Sequence, residues 1–290
     1  CVAESADSKF IVNVTDQAPD NHVASVDATG VYPAIYLIEG NLYMLHNIQP
    51  LAGSTIYVKK NVNYIFPTGQ YYGDKTSSDP GIYNLTLDLA EGVTLSGGMA
   101  LNTADVTVKG AGNLASDFTW TPNEGFEMTA DGEANGLYSC RMKTEAAAAT
   151  VTKADGTTIS YSTIGGALAG AKANIGSTLK MYTDAEASLS VTLNNQNGVV
   201  ADFTWDLNGH TYTYTGASDG IILKGGAKLT LTDSSTEKSG ALITKGARNN
   251  FIANSAIVTA GPGCTIIVDE GATVKNLILL DAPDSKLTVA

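Results

Sequence analysis

Leu85-Thr86-Leu87-Asp88-Leu89 and Phe203-Thr204-Trp205-Asp206-Leu207 write one strand pattern twice in the same chain. Apolar residues hold the first, third and fifth positions, Thr the second and Asp the fourth, so each strand has one apolar and one polar face. Moving outward, Gly53-Ser54-Thr55-Ile56 precedes the first copy and Gly176-Ser177-Thr178-Leu179 the second. Ala104-Asp105-Val106-Thr107-Val108 and Ala227-Lys228-Leu229-Thr230-Leu231 follow them in the same order. Each second copy lies about 120 residues after the first, which marks a duplicated unit. What repeats is strand and turn chemistry, so the duplication speaks to architecture rather than to catalysis.

The same short alternating runs recur from Thr55 onward, at Val93–Leu95, Thr211–Thr215, Ile221–Leu223, Leu242–Ile243, Ile266–Val268 and Leu287–Val289 among others. Between them stand Gly-Gly, Asn-Gly, Asp-Gly and Pro-Gly, residues that supply positive φ or cap turns with a side-chain oxygen. A spacing of about 8–12 residues per strand and turn suits a sandwich, a barrel or a stacked array. The array is favoured because Gly216 to Ala290 reads as strand after strand with only small polar turns. One helix is expected near 162–173, with Ser162 as N-cap and Ile164, Ala167, Leu168 and Ala171 forming an apolar stripe. An amphipathic helix there would cap the open end of the second strand series. Val31 to Ile48, rich in aromatic and aliphatic residues, is expected to supply a buried counterpart to it.

Four stretches carry a family resemblance: Tyr161-Ser162-Thr163-Ile164-Gly165-Gly166-Ala167-Leu168-Ala169, Thr178-Leu179-Lys180-Met181, Trp205-Asp206-Leu207-Asn208-Gly209-His210-Thr211, and Gly226-Ala227-Lys228-Leu229-Thr230-Leu231-Thr232-Asp233-Ser234-Ser235. Over about residues 155 to 245 they resemble the pectin-lyase-like right-handed parallel β-helix units of secreted bacterial proteins, and the first half resembles them through its degenerate copy. The resemblance implies an all-β, right-handed parallel β-helix at the cell surface or outside the cell. The family holds both polysaccharide-cleaving enzymes and non-catalytic adhesins, so fold alone does not choose between them. The expected organisation is an N-terminal lead or docked strand over 1–30, a first β-helix half over 31–145 and a second over 146–290, with Lys143 to Thr150 as the linker.

Charge narrows the partners. The formal net charge is -12, and the resulting field repels phosphate backbones, so nucleic acid is not an expected partner. Cys1 followed by a polar stretch resembles a bacterial lipoprotein after removal of its signal peptide, and lipidation of Cys1 is the expected route to a membrane. Cys140 and Cys264 are either bridged or free core thiols.

Candidate chemistry is sparse. Gly216-Ala217-Ser218-Asp219-Gly220 matches a nucleophile elbow, but that motif needs a strand leading into a helix, and here it falls between two expected strands. His22, His46 and His210 are far apart and show no metal-ligand spacing, so neither a metal nor a cofactor is expected. Asp202, Asp206, Asp233 and Asp269 are the acids that neighbouring coils would bring together for glycoside hydrolysis. Asp88 and Asp206 occupy equivalent repeat positions, which argues for a shared structural role. Trp205 stands where the other copy has Leu87 and reads as core; Trp120 invites a sugar-stacking role. Tyr64, Phe66, Tyr71 and Tyr72 surround Pro67-Thr68-Gly69 in an expected loop and are the candidate binding residues.

These readings lead to a non-catalytic surface or secreted protein that binds a glycan or a protein. The alternatives are a self-assembling extracellular subunit, with Leu287-Thr288-Val289 offering an open strand edge, and a polysaccharide lyase or glycoside hydrolase.

Overall fold

The computed structural model describes residues 9–13, 34–39, 54–58, 62–64, 71–80, 83–129, 136–196, 199–245, 247–249 and 252–290. The chain is all-β with parallel sheets and one α-helix among the described residues. It divides into two compact units, Cys1–Ala146 and Ala147–Ala290.

In the first unit, Lys9–Asn13, Ala34–Glu39, Ser54–Val58, Asn84–Leu89 and Ala104–Gly110 lie side by side in one parallel sheet. Leu137–Met142 and Phe126–Thr129 then close its edge in antiparallel pairing. Within the Val31 to Ile48 stretch, expected to supply a buried counterpart of the capping helix, Ala34–Glu39 is a strand. Its run of β-branched, aromatic and aliphatic residues finds a parallel strand on each side, and that pairing decides the conformation. A second parallel sheet forms around the long strand Thr94–Leu101, which pairs with Val62–Tyr64, Asn113–Leu114 and Thr119–Pro122.

The second unit opens with an antiparallel pair, Ala149–Thr152 and Thr158–Tyr161, followed by the helix Ile164–Ala173. Thr163 caps the helix rather than Ser162: its backbone is extended and its Oγ1 accepts the Gly166 N–H at 3.1 Å. Ile164, Ala167, Leu168 and Ala171 are buried on the core face. Gly170 lets the helix settle on Tyr161, because a Cβ there would collide with the Tyr161 hydroxyl.

From Ser177 onward the chain visits three sheets in turn. The first contains Ser177–Met181, Asp202–Asp206, Lys228–Thr232, Thr265–Val268 and Lys286–Val289. The second contains Ala185–Ala187, Thr211–Tyr214, Ala241–Thr244 and Thr273–Lys275. The third contains Val191–Leu193, Ile221–Leu223, Ile257–Thr259 and Ile278–Leu280. Each strand pairs in parallel with the one a full circuit earlier. Two small antiparallel hairpins leave the circuit, Asn195–Gln196 with Val199–Val200 and Ala247–Asn249 with Ile252–Ala253. The second of these interrupts the Gly216 to Ala290 stretch that the sequence suggested was free of insertions.

Parallel pairing in this register stacks like upon like. Leu179, Trp205, Leu231 and Val268 form one buried column, and Phe203, Leu229 and Ile266 another. Ile56, Leu87 and the neighbouring Val108 form the matching column in the first unit. The repeated segments therefore stand side by side in the same order in both units. On the polar face, Thr86 and Thr107 pair across strands as do Thr178, Thr204 and Thr230.

Candidate functional site

Two of the acids suggested for catalysis, Asp206 and Asp233, are spent on the fold. Asp206 Oδ1 accepts the Asn208 N–H at 3.0 Å in its own turn and the Ser234 N–H at 2.8 Å one circuit later. Asp233 is wholly buried; its Oδ1 accepts the Gly209 N–H at 2.8 Å and the Ser235 N–H at 2.9 Å, and its Oδ2 accepts the Gly240 N–H at 2.6 Å. Burial alone would raise the Asp233 pKa, but the Ser235 hydroxyl and these backbone donors outweigh it and hold the carboxyl below its ordinary range. Asp202 faces Lys228 at 3.6 Å, and the repeat-equivalent acids Asp88 and Asp206 face Lys109 at 3.6 Å and Lys180 at 3.8 Å, so the acid of each copy takes part in a cross-strand pair. Asp269 is half-buried.

The Asp206-Leu207-Asn208-Gly209-His210-Thr211 stretch is a corner of the circuit. Asn208 and Gly209 both adopt positive φ, 47° and 82°, and Asn208 Nδ2 donates to the Met181 carbonyl of the preceding circuit at 2.8 Å. His210 Nδ1 lies 3.3 Å from Asp184, whose carboxylate also accepts the Thr211 N–H at 2.8 Å. His22, His46 and Cys1 lie outside the described residues. Among the described residues no cluster of His, Cys, Asp and Glu is placed to hold a metal ion.

The Gly216 to Gly220 pattern is a polar corner between Thr211–Tyr214 and Ile221–Leu223, with no helix after it. Ser218 Oγ lies 2.8 Å from both the Ser190 and the Tyr214 hydroxyls, and Asp219 Oδ1 accepts the Ser255 N–H at 2.9 Å. These contacts tie three successive circuits together. Asn254, fully buried, adds another tie by donating to the Gly216 carbonyl at 2.9 Å.

Of the four aromatic candidates, Phe66 lies outside the described residues and Tyr64 closes the strand Val62–Tyr64. Tyr71 is half-buried, while Tyr72 is 7% exposed and bridged to Leu101. Burial raises the neighbouring Tyr83 phenol above its ordinary range, with Tyr72 adding to the shift. Trp205 is a core residue, set edge-on to Tyr212 at 4.9 Å. Trp120 is half-buried and stacks on Tyr138 at 4.4 Å, so one of its faces is already occupied. Cys140 and Cys264 are both buried free thiols, and burial pushes the Cys140 thiol up to about 11.

A groove of about 490 Å³ remains in the second unit, and none of the sequence candidates pointed to it. One wall is a helix face bearing Gly165, Leu168, Ala169 and Lys172, spaced by three or four residues. The other wall runs from Glu186 to Thr192 and includes Leu189, which is 82% exposed. Tyr212 contributes from below; it is only 4% exposed, and its hydroxyl has no hydrogen-bond partner among the described residues. Burial raises its pKa, with Tyr214 adding to the shift, so the phenol is a neutral donor at physiological pH. Lys172 and Glu186 carry opposite charges, and neither makes an ion pair among the described residues. A volume of this size is within the range of sites that enclose small ligands or short segments of larger ones.

Comparison with protein-family models, with curated proteins and with solved structures found no match to this chain.

Proposed function

We propose that the chain is a right-handed parallel β-helix acting as a non-catalytic binding protein of the cell surface or the extracellular space, with the helix-side groove of its second unit as the binding site. The groove carries this reading: an exposed Leu189, a cation and an anion at Lys172 and Glu186 that make no ion pair among the described residues, and the Tyr212 hydroxyl share one cleft of about 490 Å³. A partner that covers Leu189 and satisfies the polar groups gains free energy from both. The three-sheet circuit and its stacked columns support the β-helix. The engagement of Asp206 and Asp233 with backbone N–H groups supports a structural rather than a catalytic role for those acids. Export, and anchorage through lipid on Cys1, belong to the same proposal.

The test is binding of the full chain to immobilised glycan and protein arrays, repeated with Leu189→Ser combined with Lys172→Ala. Binding that drops at least tenfold in the double variant, with unchanged thermal stability, is the expected result. Binding indifferent to both substitutions, or cleavage of an arrayed polysaccharide, would overturn the reading.

A further inference from the structure

The two strands beside the groove are both sheet edges. Ala185–Ala187 is the first strand of the second sheet and Val191–Leu193 the first of the third. In a parallel ladder the backbone groups of successive residues point to opposite sides of the strand. Ala187 accepts the Thr215 N–H, Val191 donates to the Gly220 carbonyl, and Leu193 accepts the Lys224 N–H, each at 2.8 Å. These residues thus face the following circuit. Glu186 and Thr192, offset from them by one residue, direct an N–H and a C=O each to the other side, toward the groove they line. No backbone partner from the described residues meets them there.

The corresponding edge of the first sheet is treated differently. Ser177–Met181 is covered by Ala149–Thr152, which is itself paired with Thr158–Tyr161, and the helix packs nearby. Among the described residues no strand is added to the leading strands of the second and third sheets, and at those edges there is space instead of a strand. An unpaired strand edge is a template for another chain. A small sugar or a free anion can use the charged side chains of this groove, but it cannot match the alternating donors and acceptors of Glu186 and Thr192. An extended polypeptide matches both.

We infer that the groove takes a peptide segment in extended conformation, which follows the chain around the corner at 188–190 and adds a short strand to each of the two open edges, at Glu186 and at Thr192. The peptide's own backbone supplies the missing hydrogen bonds. An acidic side chain on the segment meets Lys172, a basic one meets Glu186, and an apolar one covers Leu189. The Tyr212 hydroxyl donates to a peptide carbonyl that reaches the floor. This inference rests on the proposed binding function and names its partner class.

The test uses capped octapeptides of alternating Val and Thr carrying one Asp and one Lys, titrated into the ¹⁵N-labelled full chain. A parallel set has alternate amides N-methylated. The decisive substitutions are Glu186→Pro and Thr192→Pro, which remove N–H groups that the fold does not use; proline is tolerated on an edge strand when its nitrogen faces outward. Binding with dissociation constants below about 1 mM is expected, with the Glu186 and Thr192 amide resonances shifting on titration. Each proline substitution and N-methylation should weaken binding at least tenfold, whereas Glu186→Ala, which keeps the N–H, should weaken it only a few fold. Should a proline variant fail to fold, the N-methylated peptides and the amide shifts on the unsubstituted chain decide the matter. No binding by any of the peptides, or equal binding by the N-methylated set, overturns strand addition. If the arrays nonetheless show binding sensitive to Leu189, the broader function stands and only the partner class falls. Concentration-dependent oligomers in light scattering that the proline substitutions abolish would identify a second copy of this chain as the occupant, and would overturn the assignment to a foreign peptide.

Discussion

Removing the Asp233 carboxylate should be among the most damaging single changes in the second unit. Three backbone N–H groups, from Gly209, Ser235 and Gly240, end on its two oxygens at 2.6–2.9 Å, and the residue is closed to solvent. Asp233→Ala strands all three donors in a buried corner. With a charged acceptor such bonds contribute about 1.5–3 kcal/mol each, and part of the loss returns when the turn relaxes and admits water, so a net cost of about 3–5 kcal/mol is expected. For a unit of this size that lowers the melting temperature by roughly 10–17 °C. Asp233→Asn should cost less, because one oxygen still accepts from Gly209 and Ser235 while the new amide confronts the Gly240 N–H. The assay is thermal unfolding of the full chain by calorimetry or circular dichroism between pH 3 and 8. The sign of the pH effect follows from the depressed carboxyl pKa. The stabilisation is fully present above the unfolded value of about 3.9 and is lost as pH falls through the lower folded value. The gap between the native chain and Asp233→Ala should therefore be constant from neutral pH to about 5 and close progressively in stronger acid. A gap under about 1 kcal/mol at pH 7, or one that widens in acid, would refute the assignment of Asp233 as a staple between circuits.

Trp205→Ala, which empties a site closed on every side between Leu179 and Leu231, should cost about 3–5 kcal/mol in the same melts; a loss below about 1 kcal/mol would mean the column does not pack as described. Gly110→Ala should destabilise the first unit by about 1–3 kcal/mol, because the residue sits at φ 96° and a Cβ would strike the Leu89 carbonyl; denaturant titration will read it. The buried thiols of Cys140 and Cys264 should resist a thiol-specific reagent at pH 8 until the chain is unfolded, and modification of either one, located by peptide mapping, at the rate of a free thiol in the folded chain would contradict their burial.

Strand positions, facing and turns were legible in the residues themselves. Alternation at Leu85 to Leu89 and Phe203 to Leu207 selects which side chains turn inward, and Asn208-Gly209 marks a corner because positive φ is inexpensive there. The helix stripe at Ile164, Ala167, Leu168 and Ala171 follows from local period in the same way. Where local signals compete, the sequence misled. Ser162 and Thr163 are both good caps, and only the backbone angles select Thr163; the aliphatic Ala34–Glu39 could enter either a helix or a strand, and its neighbours on both sides make it a strand. The candidate acids illustrate the limit from another direction. Asp206 and Asp233 look alike as free carboxylates in the sequence, and it is the register between circuits that delivers amide groups from other turns to their oxygens. The groove depends still more on tertiary structure, because it is made by what is missing beside Glu186 and Thr192. Period and composition report which way a side chain points, whereas backbone groups unpaired among the described residues, an overhanging Leu189 and a Tyr212 set in the floor of a groove arise only when segments distant in sequence are brought to a common edge.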